Sequence, residues 1–91
     1  MANEVESVTD LPRFEYDPEA DVVYVYPAEQ EYSHGRDLDA ERRIDYAADG
    51  TPIGVELTCV RSGVNVEGLP SAQGISRILN HLQVPILARR P

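Results

Sequence analysis

Two extended segments, residues 42–48 and 51–60, meet at Asp49-Gly50, and no other feature of this chain restricts its fold as strongly. Asp-Gly between alternating apolar runs marks a two-stranded antiparallel hairpin, because both residues tolerate the positive φ that a tight turn requires. Side-chain parity then sets the register. A two-residue loop pairs Tyr46 with Ile53, Ile44 with Val55 and Arg43 with Glu56, so apolar pairs share one face and an Arg/Glu pair lies on the other. A four-residue loop sets Glu41 opposite Glu56, and like charges directly opposite destabilise a sheet. A three-residue loop without a compensating bulge sets Asp45 against Ile53 and buries a carboxylate. The expectation is therefore a two-residue loop.

A second hairpin precedes it. Arg13-Phe14-Glu15-Tyr16-Asp17 alternates with period two, and Val22-Val23-Tyr24-Val25-Tyr26 is β-branched or aromatic throughout. Between them, Asp17-Pro18-Glu19-Ala20 fits a turn in which Pro18 presets φ and the Asp17 carboxylate accepts a backbone N–H two or three residues on. Arg36-Asp37-Leu38 is a further short strand. Residues 61–69 form a connection, with Val64-Asn65-Val66 as a short extended piece. Ser71 then marks a helix N-cap, and Ile75, Ile78, Leu79 and Leu82 recur at i, i+3, i+4 and i+7. Pro85 stops the helix near Gln83 or earlier. Burying that stripe contributes roughly 6–12 kcal/mol gross, enough to dock a short helix that is marginal alone.

Strands followed by one helix define an α+β domain: a four- to five-stranded antiparallel β-meander with one C-terminal α-helix packed on one face. At 91 residues and 10.1 kDa there is length for one domain. It is expected over residues 13–87, with a flexible arm at 1–12 and a frayed basic tail at 88–91. Ile86-Leu87 is expected to dock.

Sixteen acidic residues against eight basic ones leave a formal charge of -8, which disfavours contact with nucleic-acid phosphates. The charge is uneven. Residues 1–56 hold 15 acids against four arginines, a balance of -11, whereas residues 57–91 hold one acid against four arginines, a balance of +3. No run approaches the ~20 apolar residues of a membrane helix, and residues 1–9, with Glu4 and Glu6 and no apolar run, are not expected to act as a signal peptide. One cysteine excludes an internal disulfide and fits a cytoplasmic setting. No nucleic acid, membrane, metal or cofactor partner is expected.

Candidate chemistry is thin. Asp37, Asp39 and Glu41 recur with period two and line one face if extended, as a hard cation or a small metal-dependent hydrolase assisted by His34 requires. Ca²⁺ needs six to eight oxygens and no Gly-centred calcium loop is present, so a solvated acidic sheet edge, which guards against edge-to-edge aggregation, is the better reading. His34 and His81 stand near no Ser or Cys nucleophile motif. Cys59 shares the parity of Ile53, Val55 and Leu57 and is expected as a buried, inert thiol. One helix covers only one face, so the side bearing Val22, Tyr24 and Tyr26 is expected to meet a second chain, most simply in a homodimer, the alternative being cover by the N-terminal arm or the 27–41 loop. The outer helix residues Gln73, Arg77, Asn80 and His81 offer a further protein-binding surface.

Tyr16-Asp17, Asp21 and Tyr24, then Asp49-Gly50, then Gly54-Val55-Glu56-Leu57 together resemble the small bacterial family known as domain of unknown function 2283. The resemblance covers about residues 14–60; Arg42-Arg43 stands where many members carry apolar strand residues. It implies a small cytoplasmic protein of a family with no established activity or catalytic residues, so none carry over to this chain. Some members are encoded beside small toxin-like proteins, so the resemblance also implies an antitoxin-like partner role, by analogy alone. The function expected is a non-enzymatic protein-binding module, homodimeric, with a small basic protein as its further partner. The metal-dependent hydrolase is the alternative.

Overall fold

The computed structural model describes residues 11–87. It is an α+β domain of five antiparallel strands, β1 (Arg13–Asp17), β2 (Val22–Tyr26), β3 (His34–Asp39), β4 (Arg42–Tyr46) and β5 (Pro52–Thr58), followed by one helix, α1 (Ala72–His81). Both hairpins expected from the sequence form. In space the strands run β1-β2-β5-β4-β3, so β5 rather than β3 lies beside β2. A meander describes β3, β4 and β5, and the first hairpin joins it through β2 and β5. The physical reason is composition: β5 buries Ile53, Gly54, Val55 and Leu57 and takes the centre, whereas the charged β1 and β3 take the edges.

The register of the second hairpin matches its parity: Ile44 faces Val55 and Arg43 faces Glu56. Its turn does not. Gly50 N–H donates to Ala47 O at 3.0 Å and Ala47 N–H to Thr51 O at 2.9 Å, which encloses three residues with Gly50 at φ 89°. This is a type I turn closed by a left-handed glycine. Tyr46 consequently faces Pro52 rather than Ile53, and a bulge between Asp45 and Tyr46 restores the register. The Asp49 carboxylate accepts Thr51 N–H at 3.0 Å, so the turn's own chemistry selects the longer loop. In the first hairpin Asp17 Oδ1 accepts Glu19 N–H and Ala20 N–H, each at 3.1 Å, as its turn signature requires.

α1 places Ile75, Ile78 and Leu79, all fully buried, against Val23, Val25, Val55 and Leu57 of the sheet. Ser71 occupies the N-cap position at φ 55° and makes no side-chain cap hydrogen bond. At the other end, Gln83 adopts φ 61°, its N–H donates to Asn80 O, and Val84 N–H donates to Leu79 O at 2.8 Å. That pair of bonds is a Schellman cap, with Val84 buried beside Leu79 and Pro85 following. The chain then turns back: Val64 N–H donates to Pro85 O and Leu87 N–H to Val64 O, each at 2.9 Å, in a parallel bridge of Val64 with Ile86. Ile86 packs on the core while Leu87 stays half exposed.

Cys59 departs from its expected burial: it is exposed. β5 ends at Thr58, and Cys59 turns to φ 55° to open a 3-10 helix over Val60–Ser62. Strand parity stops applying there, and Val60 enters the core instead. Of the arm expected over residues 1–12, residues 1–10 lie outside the described residues. Leu11 packs on the core, and Pro12 lies against Gly74, where a Cβ would come within 2.8 Å of the proline ring. The expected basic tail at 88–91 also lies outside the described residues.

Arg42, anomalous in sequence at the start of a strand, has a structural task. Its Nε donates to Asp39 Oδ2 at 2.8 Å, and Nη1 donates to Asn65 O at 2.9 Å and Glu67 O at 2.7 Å. One planar guanidinium thereby fastens the 63–68 connection to the sheet.

Candidate functional site

α1 covers one face of the sheet. The other face carries Val22, Tyr24, Glu15, Asp17 and Arg13 on the first hairpin, and Gly54, Glu56, Arg43, Asp45, Gly35 and Asp37 across β5, β4 and β3, all assigned by register. One cross-strand row runs Tyr24, Glu56, Arg43, Asp37, and the adjoining row runs Gly54, Asp45, Gly35. Side chains of the first row lean onto the second. The Tyr24 phenol lies over Gly54, where a Cβ would come within 2.7 Å of its ring, and the Arg43 guanidinium lies over Gly35.

Asp45 lies between the two glycines and accepts from both neighbours. Tyr24 Oη–H donates to Asp45 Oδ2, and Arg43 Nε donates to Asp45 Oδ1 at 3.2 Å. Arg43 also donates through Nη1 to Asp37 Oδ1 at 3.3 Å and reaches Tyr32 Oη through Nη2 at 3.5 Å. Burial, first, and then the Asp45 carboxylate, through its hydrogen bond and its charge, hold the Tyr24 phenol protonated well above the ordinary tyrosine range. Tyr32, Asp45 and Asp37 together hold Arg43 firmly in its charged form. The arrangement fixes a protonated phenol and a guanidinium on one carboxylate, as a rigid polar surface.

Next to this cluster lies a groove of about 320 Å³ between the sheet and the 27–33 connection, lined by Tyr24, Tyr26, Tyr32, Arg13, Glu29 and Ile53 among others. The Tyr24 and Tyr26 ring centres are 4.7 Å apart, tilted by 50°. The Arg13 guanidinium carbon sits 4.4 Å above the Tyr26 ring, and Arg13 Nη1 pairs with Glu29 Oε2 at 3.3 Å.

Of the residues singled out in the sequence, Val22, Tyr24 and Tyr26 share this face and are half-buried. Gln73, Arg77, Asn80 and His81 lie exposed along the outer side of α1, away from it, and the His81 ring sits edge-on to Phe14 at 6.3 Å. Asp37, Asp39 and Glu41 do not converge. A bulge between Asp37 and Asp39 breaks their period, leaving Asp37 opposite Arg43 and Asp39 opposite Arg42. Arg42 and the Glu41 N–H, which donates to Asp39 Oδ1, hold the Asp39 carboxyl below its ordinary range. Among the described residues no group of three His, Cys, Asp or Glu side chains is close enough to hold a metal ion. His34 stacks on Tyr46, with ring centres 5.4 Å apart, and contacts Ser33 Oγ.

Asp45 and Tyr32 are not among the candidate functional residues that the sequence offers. The available signal was glycine inside strands: Gly35 and Gly54 cost strand stability unless something must approach the backbone closely.

Fold and face together define a small sheet-and-helix domain with one layered side and one polar-aromatic side. The chain belongs to DUF2283, described as a protein of unknown function, which matches residues 13–60. No curated protein and no solved structure matches. The signature positions have distinct tasks: Asp17 closes the first turn, Asp21 Oδ1 accepts Arg61 N–H at 2.9 Å to cap the 3-10 helix, and Tyr24 and Gly54 build the cluster on Asp45. No described helix is long and apolar enough to cross a membrane.

Proposed function

We propose that this chain is a non-catalytic protein-binding module whose open sheet face receives a basic protein partner. One observation carries it: α1 covers a single face, and the other presents Glu15, Asp17, Asp37, Asp45 and Glu56 against Arg13 and Arg43. An acidic excess on a rigid surface steers a basic partner and raises its on-rate. An antitoxin-like pairing with a basic toxin-like protein falls within this class. Non-catalytic use is supported by Asp37, Asp39 and Asp45 each being paired with an arginine, which leaves none of the three carboxylates free for a substrate.

A homodimer through Val22, Tyr24 and Tyr26 has less drive than the strand sequence suggests, because these tyrosines pack on each other and on Arg13. The test is capture from the source cells, compared with the variant Glu15→Gln/Glu56→Gln and with the helix variant Gln73→Ala/Asn80→Ala. A basic protein held by the native chain and the helix variant but released by the sheet variant supports the proposal. Retention by the sheet variant overturns it. A doubled mass in light scattering that the sheet variant alone abolishes would make a second copy the occupant and overturn it as well.

A further inference from the structure

The groove beside the Asp45 cluster is already occupied by a cation of the chain itself. The Arg13 guanidinium stands over the Tyr26 ring and reaches Glu29, and the Tyr24 ring lies tilted beside Tyr26. An aromatic face and a carboxylate on one planar cation is the chemistry that selects guanidinium. Arg13 holds this position loosely: its side chain is 62% exposed and that of Glu29 85%, and an exposed ion pair in water contributes little. The groove extends past Arg13 to Tyr32, which is 56% exposed, and to Ile53.

We infer that this groove is the receptor for an arginine side chain of the basic partner, and that Arg13 is a placeholder which the incoming arginine displaces. The inference rests on the acidic-face proposal and names the contact at its centre. An arriving guanidinium finds the Tyr26 ring, the Glu29 carboxylate and the Tyr32 phenol already in position. Arg13, once displaced, swings into solvent on an edge strand, so exchange needs no change of fold.

The experiment is a titration of the full chain, labelled with ¹⁵N, with a hexa-arginine peptide and separately with hexa-lysine, at physiological salt. Saturable shifts at Tyr26, Glu29, Tyr32 and the Arg13 side chain are expected, with hexa-lysine at least about fivefold weaker because an ammonium neither stacks nor forks. Arg13→Ala should tighten hexa-arginine binding by about twofold or more by removing the competitor, and Glu29→Gln should weaken it by a similar factor. Glu29 lies on an exposed connection, so its variant keeps the fold even where Tyr26→Leu does not. Equal binding of both peptides, spread over the acidic strands and indifferent to Arg13→Ala and Glu29→Gln, overturns the arginine receptor while leaving the acidic face standing. No shift with either peptide overturns both.

Discussion

Gly54→Ala separates a glycine kept for backbone freedom from one kept to admit a side chain. Gly54 lies inside β5 and is not among the residues with positive φ, so alanine fits its backbone. At such a site Gly→Ala ordinarily stabilises by about 0.4–1 kcal/mol through the unfolded chain. Here the new Cβ would come within 2.7 Å of the Tyr24 Cζ, and the phenol must tilt away from Asp45. Losing a hydrogen bond to a charged, part-buried acceptor costs about 1.5–3 kcal/mol, which outweighs the gain and leaves a net loss of about 1–2 kcal/mol. Urea unfolding followed by circular dichroism reads this as a midpoint lowered by about 1–2 M, since m for a chain this size is about 1 kcal/mol/M. In a Tyr24→Ala background the obstruction is gone, and Gly54→Ala should instead be neutral or stabilising. Equal or greater stability of Gly54→Ala with Tyr24 present would refute the reasoning.

Three further outcomes follow from the same geometry. Because the folded state raises the Tyr24 pKa, the stability that Tyr24 contributes is present in full below the ordinary phenol value of about 10 and is lost as pH rises above it. The difference between the native chain and Tyr24→Phe should therefore be flat from neutral pH to about 9 and shrink beyond 10, as urea titrations at each pH will show. Asp39 runs the other way: its lowered carboxyl contributes above about 4, and the contribution fades as pH falls through its folded value. Asp39→Asn should flatten that acid limb in thermal melts; an unchanged limb would exclude the Arg42 contact as its source. Gln83→Gly relieves a left-handed non-glycine residue in the helix cap and should raise stability by about 0.5–1 kcal/mol, whereas the same change at an ordinary exposed helix position lowers it.

Local chemistry made much of the fold legible. The period-two runs, the Asp17 turn and the Ile/Leu stripe each report one element, and β1, β2 and α1 lie where those signals put them. Strand order was not legible, because pairing β2 with β5 depends on which strands bury most in the finished sheet, a comparison across all five. Parity misplaced Cys59 for a related reason: nothing in the alternation of Val55, Leu57 and Cys59 announces that the strand ends at Thr58. The Asp45 cluster is built from residues 24, 43 and 45 on two strands separated by a third, so no spacing along the chain displays it. Only its negative image was visible, in two strand glycines whose missing side chains make room for Tyr24 and Arg43.

The most direct measurement is a double-mutant cycle on Tyr24→Phe and Asp45→Asn, with unfolding free energies from urea titration at pH 7. A phenol and a carboxylate joined across Gly54 should show a coupling of about 1–2 kcal/mol, the double variant losing less than the sum of the single ones. Losses that add to within about 0.3–0.5 kcal/mol would mean the two side chains act independently, and the open face would lose the contact around which it is organised.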